Sequence, residues 1–235
     1  MAKYGAAIFD VFGTVVDWRS GVAAEVAKAY RAKGKEVDAE GFADEWRGEY
    51  QPAMQRIRSG DRGYVALDIL HRENLEIVLK RRNQLDLFSS DELADLNHAW
   101  EKLPPWPDAP QGLADLTKIM PVAPCSNGSI ALMMRLARFG GLSWDCIVGA
   151  EIAQGYKPDP KVYQRSVAAL GFTPDEVIMV ATHNNDLAAA RQAGLATGYF
   201  PRPNELGVGV KTDLAPAEDW DVIATDMIDL AQKLG

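Results

Sequence analysis

The sequence predicts an α/β fold in which a parallel sheet is flanked by helices and carries an inserted helical segment. Residues 6–9 form a short apolar run, AAIF, that is typical of a buried parallel strand, and the run ends in Asp10. Residues 17–100 show only helical patterns, whereas beyond residue 103 helices and strands alternate. This alternation favours a parallel sheet with helices on both faces, and the first strand belongs to that sheet.

The inserted segment contains several expected helices with polar outer faces. Residues 20–33 place apolar side chains at helical spacing and are followed by Gly34, a typical terminating residue. Residues 38–57 carry large apolar side chains four positions apart, and a kink or break is expected at Pro52. Two further helices are expected at 64–84 and 91–102.

A proline-rich passage at 103–110 marks the boundary between the inserted segment and the rest of the sheet. Strands are expected beyond it at 119–124, 145–149, 177–181, 196–200 and 222–224. Helices are expected at 111–117, 129–139, 160–170, 186–193 and 227–234. The chain therefore divides into a discontinuous core domain, 1–16 and 101–235, and a helical cap domain, 17–100.

Composition and charge narrow the possible partners. The 235 residues carry a net charge of −8, and the sequence pI is about 5.0. This acidic balance argues against nucleic-acid or membrane partners, although a local basic pocket can still bind a small anion. The two cysteines do not suggest a disulfide framework, and we find neither a signal peptide nor a membrane-spanning run. We therefore expect a cytoplasmic protein.

Polar residues follow several of the expected strands, at the edge where open α/β sheets bind their ligands. Asp10 follows the first strand, and the pair Ser126 and Asn127 follows the second. Lys157 follows the third strand, and Asp186 opens a helix after the fourth. Each charged residue alone also fits a structural role, because Asp10 and Asp186 could cap a turn or helix and lysines are common on surfaces.

Taken together and in this order, the motifs resemble those of the haloacid dehalogenase (HAD) superfamily, and the resemblance covers the whole chain. The order is Asp-x-x-Gly-Thr after the first strand, then Ser-Asn-Gly, then Lys-Pro, then an Asp-bearing loop. The resemblance implies a Rossmann-like HAD core with a parallel sheet and an inserted helical cap domain. It also implies that Asp10 is the nucleophile and that Ser126 hydrogen-bonds the substrate or intermediate. Thr14, Lys157 and Asp186 complete the implied catalytic set.

Two positions depart from the magnesium-dependent phosphatases of the superfamily. Those enzymes carry Asp-x-Asp, whose second carboxylate protonates the leaving oxygen, whereas this chain has Phe12, which cannot transfer a proton. They also carry an additional acidic ligand four residues before the position of Asp186, where this chain has Thr182. The chain therefore resembles the metal-free L-2-haloacid dehalogenase branch, which implies that neither a metal nor another cofactor is required.

Further residues match this branch. Tyr163 and the run at 156–159 match its third motif, and Trp46 with Arg47 match its substrate-facing arginine in the cap. The resemblance therefore implies that Tyr163, Trp46 and Arg47 contact the substrate. His183 departs from it, because typical members carry asparagine at this position of the fourth motif. The resemblance implies a small anionic 2-haloacid as substrate and a homodimer as the assembly, while the halide preference is left open.

The resemblance further implies a displacement at carbon. Asp10 attacks C2 of the haloacid and forms an ester with inversion. Arg47 and the Asn127 side-chain amide donate hydrogen bonds to the departing halide. Lys157 lowers the repulsion between the anionic substrate and the anionic nucleophile.

The remaining implied roles concern the substrate carboxylate and the hydrolytic water. Ser126 and the backbone N–H groups of Val11 and Phe12 are placed to bind the carboxylate. Water then attacks the ester carbonyl, with Asp186 as the expected base and His183 able to share that role because imidazole titrates near neutrality.

Two alternatives stay open at this point. The first is a magnesium-dependent HAD phosphatase with a degraded motif, acting on a small phosphate ester, and the second is a catalytically idle HAD-like binding protein. Outside the motifs, we expect His71 and His98 at the surface and Cys125 as a small buried apolar residue.

Overall fold

A parallel sheet forms the centre of the protein in a computed structural model that describes residues 3–207, 209 and 213–235. Its six described strands lie in the order β3-β2-β1-β4-β5-β6, and every described pair of neighbours is parallel. The strands are β1 (Ala6–Phe9), β2 (Val122–Ser126), β3 (Val148–Gly149), β4 (Val177–Ala181), β5 (Ala196–Tyr199) and β6 (Val222–Ile223). The predicted α/β class is confirmed.

Strand β1 lies inside the sheet between β2 and β4. Ile8 is in register with Ala123 on one side and Met179 on the other. All four residues of β1 are buried, because helices cover both faces of the sheet, as the continuous apolar run predicts. Asp10 therefore emerges from the middle of the sheet at the carboxyl ends of its strands.

Five helices lie between β1 and the proline-rich passage at 103–110, and we call them the cap helices. They are α1 (Trp18–Ala32), α2 (Ala39–Gly48), α3 (Tyr50–Arg58), α4 (Leu67–Arg81) and α5 (Ser90–Asn97). Short 3₁₀ turns follow at Leu85–Leu87 and His98–Glu101. Asp17, Asp38 and Ser89 cap α1, α2 and α5 through their side chains.

The expected interruption of the second cap helix occurs, but three residues earlier than Pro52. The helix breaks at Glu49, between α2 and α3. Pro52 then lies in the first turn of α3, where a missing backbone N–H leaves no helical hydrogen bond unmade. The proline is thus accommodated by starting a new helix before it.

The helices beyond residue 103 alternate with the strands, as predicted. They are α6 (Ala109–Leu116), α7 (Ile130–Gly140), α8 (Ala150–Ala153), α9 (Pro160–Ala169), α10 (Asn184–Gln192) and α11 (Met227–Leu234), with a 3₁₀ turn at Pro174–Glu176. The strand expected at 145–149 is shorter than predicted, since Val148 and Gly149 alone form β3, while Asp145 contacts Val122 through its backbone N–H and its side chain. None of the described helices is both long and apolar enough to cross a bilayer.

Gly149 provides a test of the close packing between β2 and β3. Its φ angle is +117°, and an added Cβ would lie 2.3 Å from the carbonyl oxygen of Ser126. We expect Gly149→Ala to lower the free energy of unfolding, measured by urea denaturation, by about 2 kcal/mol or more. Gly48→Ala is the matched control, because nothing lies within 4 Å of its added Cβ in α2, and it should raise stability by up to about 1 kcal/mol. Equal effects of both substitutions would contradict this account.

Candidate active site

A pocket of about 200 Å³ lies between the carboxyl ends of the strands and the cap helices. The segments that follow the strands contribute charged and polar side chains to it: Asp10, Asn127, Lys157, His183, Asn185 and Asp186. The cap helices contribute Arg47, Tyr50 and Gln51. The four sequence motifs, which are far apart in the chain, therefore converge at one place.

Lys157 joins the two motif carboxylates. Its Nζ lies 2.9 Å from Asp10 Oδ1 and 2.5 Å from Asp186 Oδ2, and the Lys157 side chain is 7% exposed. Burial alone would lower the pKa of Lys157, but the carboxylates of Asp10 and Asp186 raise it above its ordinary value. The lysine is therefore a fixed cation between two anions.

The second oxygen of Asp10 has its own donors. Thr14 Oγ1 donates to Oδ2 at 2.8 Å and accepts from the backbone N–H of Thr182 at 3.1 Å. His183 Nδ1 lies 3.2 Å from the same Oδ2. Burial would raise the pKa of Asp10, but Lys157 and His183 hold it below its ordinary value. Asp10 is therefore ionised, oriented and largely desolvated at neutral pH, which are properties of an activated carboxylate nucleophile.

Asp186 is held on both of its oxygens. The Tyr163 hydroxyl donates to Oδ1, opposite the contact of Oδ2 with Lys157. Burial, together with the Asp186 charge, raises the pKa of Tyr163 above its ordinary value, so the phenol stays protonated and donates. Tyr163, which the sequence placed at the substrate, thus lies behind the pocket and holds Asp186.

The Ser126–Asn127 turn fixes the segment that carries Lys157. Asn127 lines the pocket, and its Oδ1 accepts from the backbone N–H of Lys157 at 2.8 Å, so its amide NH₂ is the group that can donate to a ligand. Ser126 Oγ accepts from the backbone N–H of Gly128, and its side chain is fully buried. Ser129 caps α7, because its Oγ accepts a hydrogen bond from the backbone N–H of Leu132.

Arg47 projects from α2 into the pocket, as expected for a substrate-facing arginine. Its Cζ lies 3.9 Å from the ring centroid of Tyr50 and 5.8 Å from that of Phe12. Within the described residues, its buried Nη1 has no hydrogen-bond partner. A guanidinium held against aromatic faces and lacking a carboxylate partner is suited to bind an anion.

The predictions for Trp46 and His71 need correction. Trp46 is fully buried and packs against Trp100, and its Nε1 donates to the carbonyl of His71, so it holds α2 to α4 rather than lining the pocket. His71 is also buried, not at the surface, because it stacks on Trp100 at 4.1 Å between ring centroids. Burial and the nearby Arg47 charge lower the pKa of His71 well below its ordinary value. Cys125 is fully buried, as predicted.

Sequence reasoning missed Glu205. Both of its side-chain oxygens lie 3.0 Å from His183 Nε2, on the side of the ring opposite Asp10. Burial lowers the pKa of His183, but its contacts with Asp10 and Glu205 raise it to about 10. Glu205 lies in a loop that has no motif and no hydrophobic periodicity. Gly13, far from it in the sequence but next to it in the fold, has no side chain and so leaves room for the Glu205 carboxylate.

The donor set does not fit a divalent cation. Among the described residues, no three His, Cys, Asp or Glu side chains are arranged to hold a metal ion. The Lys157 ammonium already lies between Asp10 and Asp186, and Phe12 and Thr182 bring no carboxylate to the motif positions. Magnesium needs several hard oxygen ligands around it, which this arrangement does not offer.

Comparison with known proteins gives concordant matches along most of the chain. A family model of haloacid dehalogenase-like hydrolases matches residues 4–194. The (S)-2-haloacid dehalogenase of Xanthobacter autotrophicus is 30% identical over 200 residues, which cover 84% of this chain and 75% of that protein. A solved structure of a defluorinating L-2-haloacid dehalogenase has a TM-score of 0.96 and 47% identity, covering 98% of this chain and 95% of that one. The L-2-haloacid dehalogenase of X. autotrophicus with chloropropionic acid covalently bound has a TM-score of 0.80 and 25% identity, covering 97% of both chains.

The contacts of Lys157 with Asp10 and Asp186, which we call the charge bridge, make a prediction about stability. Lys157→Met leaves two buried carboxylates side by side without their shared cation, so we expect it to lower the free energy of unfolding by about 3–5 kcal/mol. Adding Asp186→Asn should recover part of that loss because it removes one of the anions. Urea denaturation measures both variants, and Lys161→Met is the control. The side chain of Lys161 is 44% exposed, so its replacement should change the free energy of unfolding by less than about 0.5 kcal/mol. Similar losses for the two lysine variants would argue against the bridge.

Proposed function

The chain belongs to the haloacid dehalogenase-like hydrolase family, and from this premise we propose that it hydrolyses the carbon–halogen bond of short L-2-haloacids. The observation that carries the proposal is the ionised, desolvated Asp10 at the base of a small pocket, with the Arg47 guanidinium on its cap side. The (S)-2-haloacid dehalogenase of X. autotrophicus and the defluorinating L-2-haloacid dehalogenase support the same activity.

The first step is displacement at carbon by Asp10. One carboxylate oxygen forms a bond to C2 as the carbon–halogen bond breaks, the halide leaves with the electron pair, and C2 is inverted. The anionic substrate meets a cationic surrounding, because Lys157 and His183 contact the nucleophile and Arg47 faces it. A relative that binds chloropropionic acid covalently supports an ester of this kind.

Separate donors serve the halide and the substrate carboxylate. Arg47 and the Asn127 amide take the departing halide, which gains charge in the transition state. Ser126 and the backbone N–H groups of Val11 and Phe12 hold the carboxylate, since they follow two adjacent strands at the same edge of the sheet. A pocket of about 200 Å³ favours acids of two or three carbons.

The second step is hydrolysis of the Asp10 ester by water, which returns the carboxylate and releases a 2-hydroxy acid. Both steps are metal-independent in this proposal, because Lys157 supplies a fixed positive charge between the two carboxylates. A phosphatase would need an acid at position 12, where Phe12 stands, and an idle binding protein would have no use for a desolvated carboxylate. A homodimer stays a prediction.

Halide release gives the direct test of the activity. We expect the protein to release halide from L-2-chloropropionate and from fluoro-, chloro- or bromoacetate in the presence of EDTA, and to leave D-2-chloropropionate unreacted. Asp10→Asn should lower the rate by about 10³-fold or more because it removes the nucleophile. Asp219→Asn, a fully exposed carboxylate, is the control and should retain the rate. Phosphate release from a phosphate ester that depends on magnesium, without halide release, would refute the proposal.

Isotope incorporation tests the ester step. In a single turnover in ¹⁸O-water, with enzyme in excess, the label should enter the Asp10 carboxylate and not the hydroxy acid. The reason is that water attacks the carbonyl carbon of the ester rather than C2. Mass spectrometry of the peptide that contains Asp10 measures the label, and label in the hydroxy acid would indicate direct attack by water on the substrate.

A further inference from the structure

Glu205 is a buried carboxylate to which the proposed dehalogenation gives no role. Its side chain is 11% exposed, and it contacts His183 Nε2 through both oxygens. Trp18 Nε1 donates to Glu205 Oε1 at 3.3 Å. A buried carboxylate costs stability unless it is paired and hydrogen-bonded, so its position beside the candidate active site needs an explanation.

The surroundings of Glu205 hold it in place. Arg202, three residues earlier, donates to the backbone carbonyl of Thr14 at 2.9 Å and to Asp108 Oδ1 at 2.7 Å. These contacts fix the loop to the segment after β1 and to the segment before α6. Gly13 has a φ angle of +90°, and an added Cβ would lie 2.1 Å from Glu205 Oε1. The glycine of the nucleophile loop therefore also makes room for this carboxylate.

We propose that Glu205 positions His183, and that His183 becomes the base for hydrolysis of the Asp10 ester once that ester has formed. The inference rests on the proposed dehalogenation and gives the water-activating role to His183 in place of Asp186, the base that the resemblance implies. It makes His183 a catalytic residue, because it contacts the reacting carboxyl group, and Glu205 a positioning residue that acts through it.

In the free enzyme His183 cannot act as a base. The ring lies between two carboxylates, with Nδ1 3.2 Å from Asp10 Oδ2 and Nε2 3.0 Å from Glu205. These contacts raise its pKa to about 10 despite burial, so it is an imidazolium at neutral pH. In that form it donates to both carboxylates and helps to keep Asp10 ionised for attack.

Ester formation changes this balance because it removes the negative charge of Asp10. His183 then keeps one anionic partner in place of two, and its pKa falls. The other charged groups in the pocket are Lys157, Arg47 and Asp186, two cations and one anion, which favour loss of the proton further. Nε2–H donates to Glu205, which fixes the tautomer and leaves the lone pair of Nδ1 directed toward the ester.

The hydrolytic step then balances. The water oxygen bonds to Cγ of Asp10 while His183 Nδ1 takes one water proton, and the bond between Cγ and the alkyl oxygen breaks. The departing hydroxy acid takes that proton from His183, and the Asp10 carboxyl group releases the second water proton to solvent. Asp186 is less available as the base, because Lys157 and Tyr163 already donate to its two oxygens.

A single-turnover experiment separates the two steps. Enzyme and L-2-chloropropionate are mixed and quenched with acid, halide is measured for the first step, and intact-protein mass spectrometry measures the ester. We expect His183→Asn to slow ester hydrolysis by about 10²-fold and Glu205→Gln by about tenfold. Halide release stays stoichiometric with enzyme in both variants, so the ester accumulates.

The pH profile is the readout that a merely structural role would not change. Because neutral His183 is the base, ester hydrolysis in the natural protein should become faster as the pH rises. The pKa of this rise should lie between 6.5, the ordinary pKa of histidine, and about 10, the pKa of His183 in the free enzyme. Glu205→Gln should move that ionisation to lower pH, because the remaining anionic partner is lost. His183→Asn should abolish the rise.

Controls and contrary outcomes distinguish this inference from the function on which it rests. Glu218→Gln, a 47% exposed carboxylate paired with Arg191, should leave both steps unchanged. Ester hydrolysis at the natural rate in His183→Asn, or a pH-dependent rise that disappears with Asp186→Asn instead, overturns the inference while halide release still supports dehalogenation. Failure of the natural protein to release halide from any haloacid overturns both.

Discussion

The ammonium of Lys157, shared between Asp10 and Asp186, is the interaction on which the geometry of the site depends. Three charges are buried together, and each would be costly without the others. The three side chains can be in contact only if the segments that follow β1, α8 and β4 approach one another. The order of the sheet achieves this, because β1 lies between β2 and β4 and the Asn127 turn after β2 binds the backbone of Lys157.

The same bridge explains why the site suits displacement at carbon. A nucleophilic carboxylate must be ionised but not neutralised by direct coordination, and the lysine and histidine contacts on its two oxygens keep it so. Phosphoryl transfer would need a proton donor for the leaving oxygen and a cation on the phosphate. Phe12 removes the donor, and the lysine already takes the position between the carboxylates. Phe12 in the loop after β1 and the fixed charge of Lys157 thus favour displacement at carbon over phosphoryl transfer on the same fold.

The parts of the structure that follow from local sequence were predictable, and those that depend on distant contacts were not. β1, β4 and α11 have the predicted bounds, because each is an apolar run closed by turn or capping residues. Asp10, Lys157 and Asp186 were predicted to lie near one another because parallel strands bring their carboxyl ends to one edge, and in the structure they are in contact. The burial of His71 and Glu205 was not predicted, since it is decided by Trp100 and His183, contacts that no spacing in the sequence encodes.

The cap helices rest on the loop that carries the bridging lysine, which links pocket shape to site charge. Arg58 Nη1 donates to the backbone carbonyl of Lys157 at 3.1 Å, and the Tyr156 hydroxyl donates to the carbonyl of Val65 at 2.6 Å. Any shift of the cap helices relative to the sheet would therefore displace Lys157, the residue that contacts and orients Asp10. Arg47 at the end of α2 and Tyr50 at the start of α3 enter the pocket next to each other, and Arg58 of α3 contacts the backbone of Lys157, so the positions of the Arg47 guanidinium and the Asp10 carboxylate are linked. Displacement in line with a leaving group demands this coupling, since both ends of the reacting carbon must be held at once.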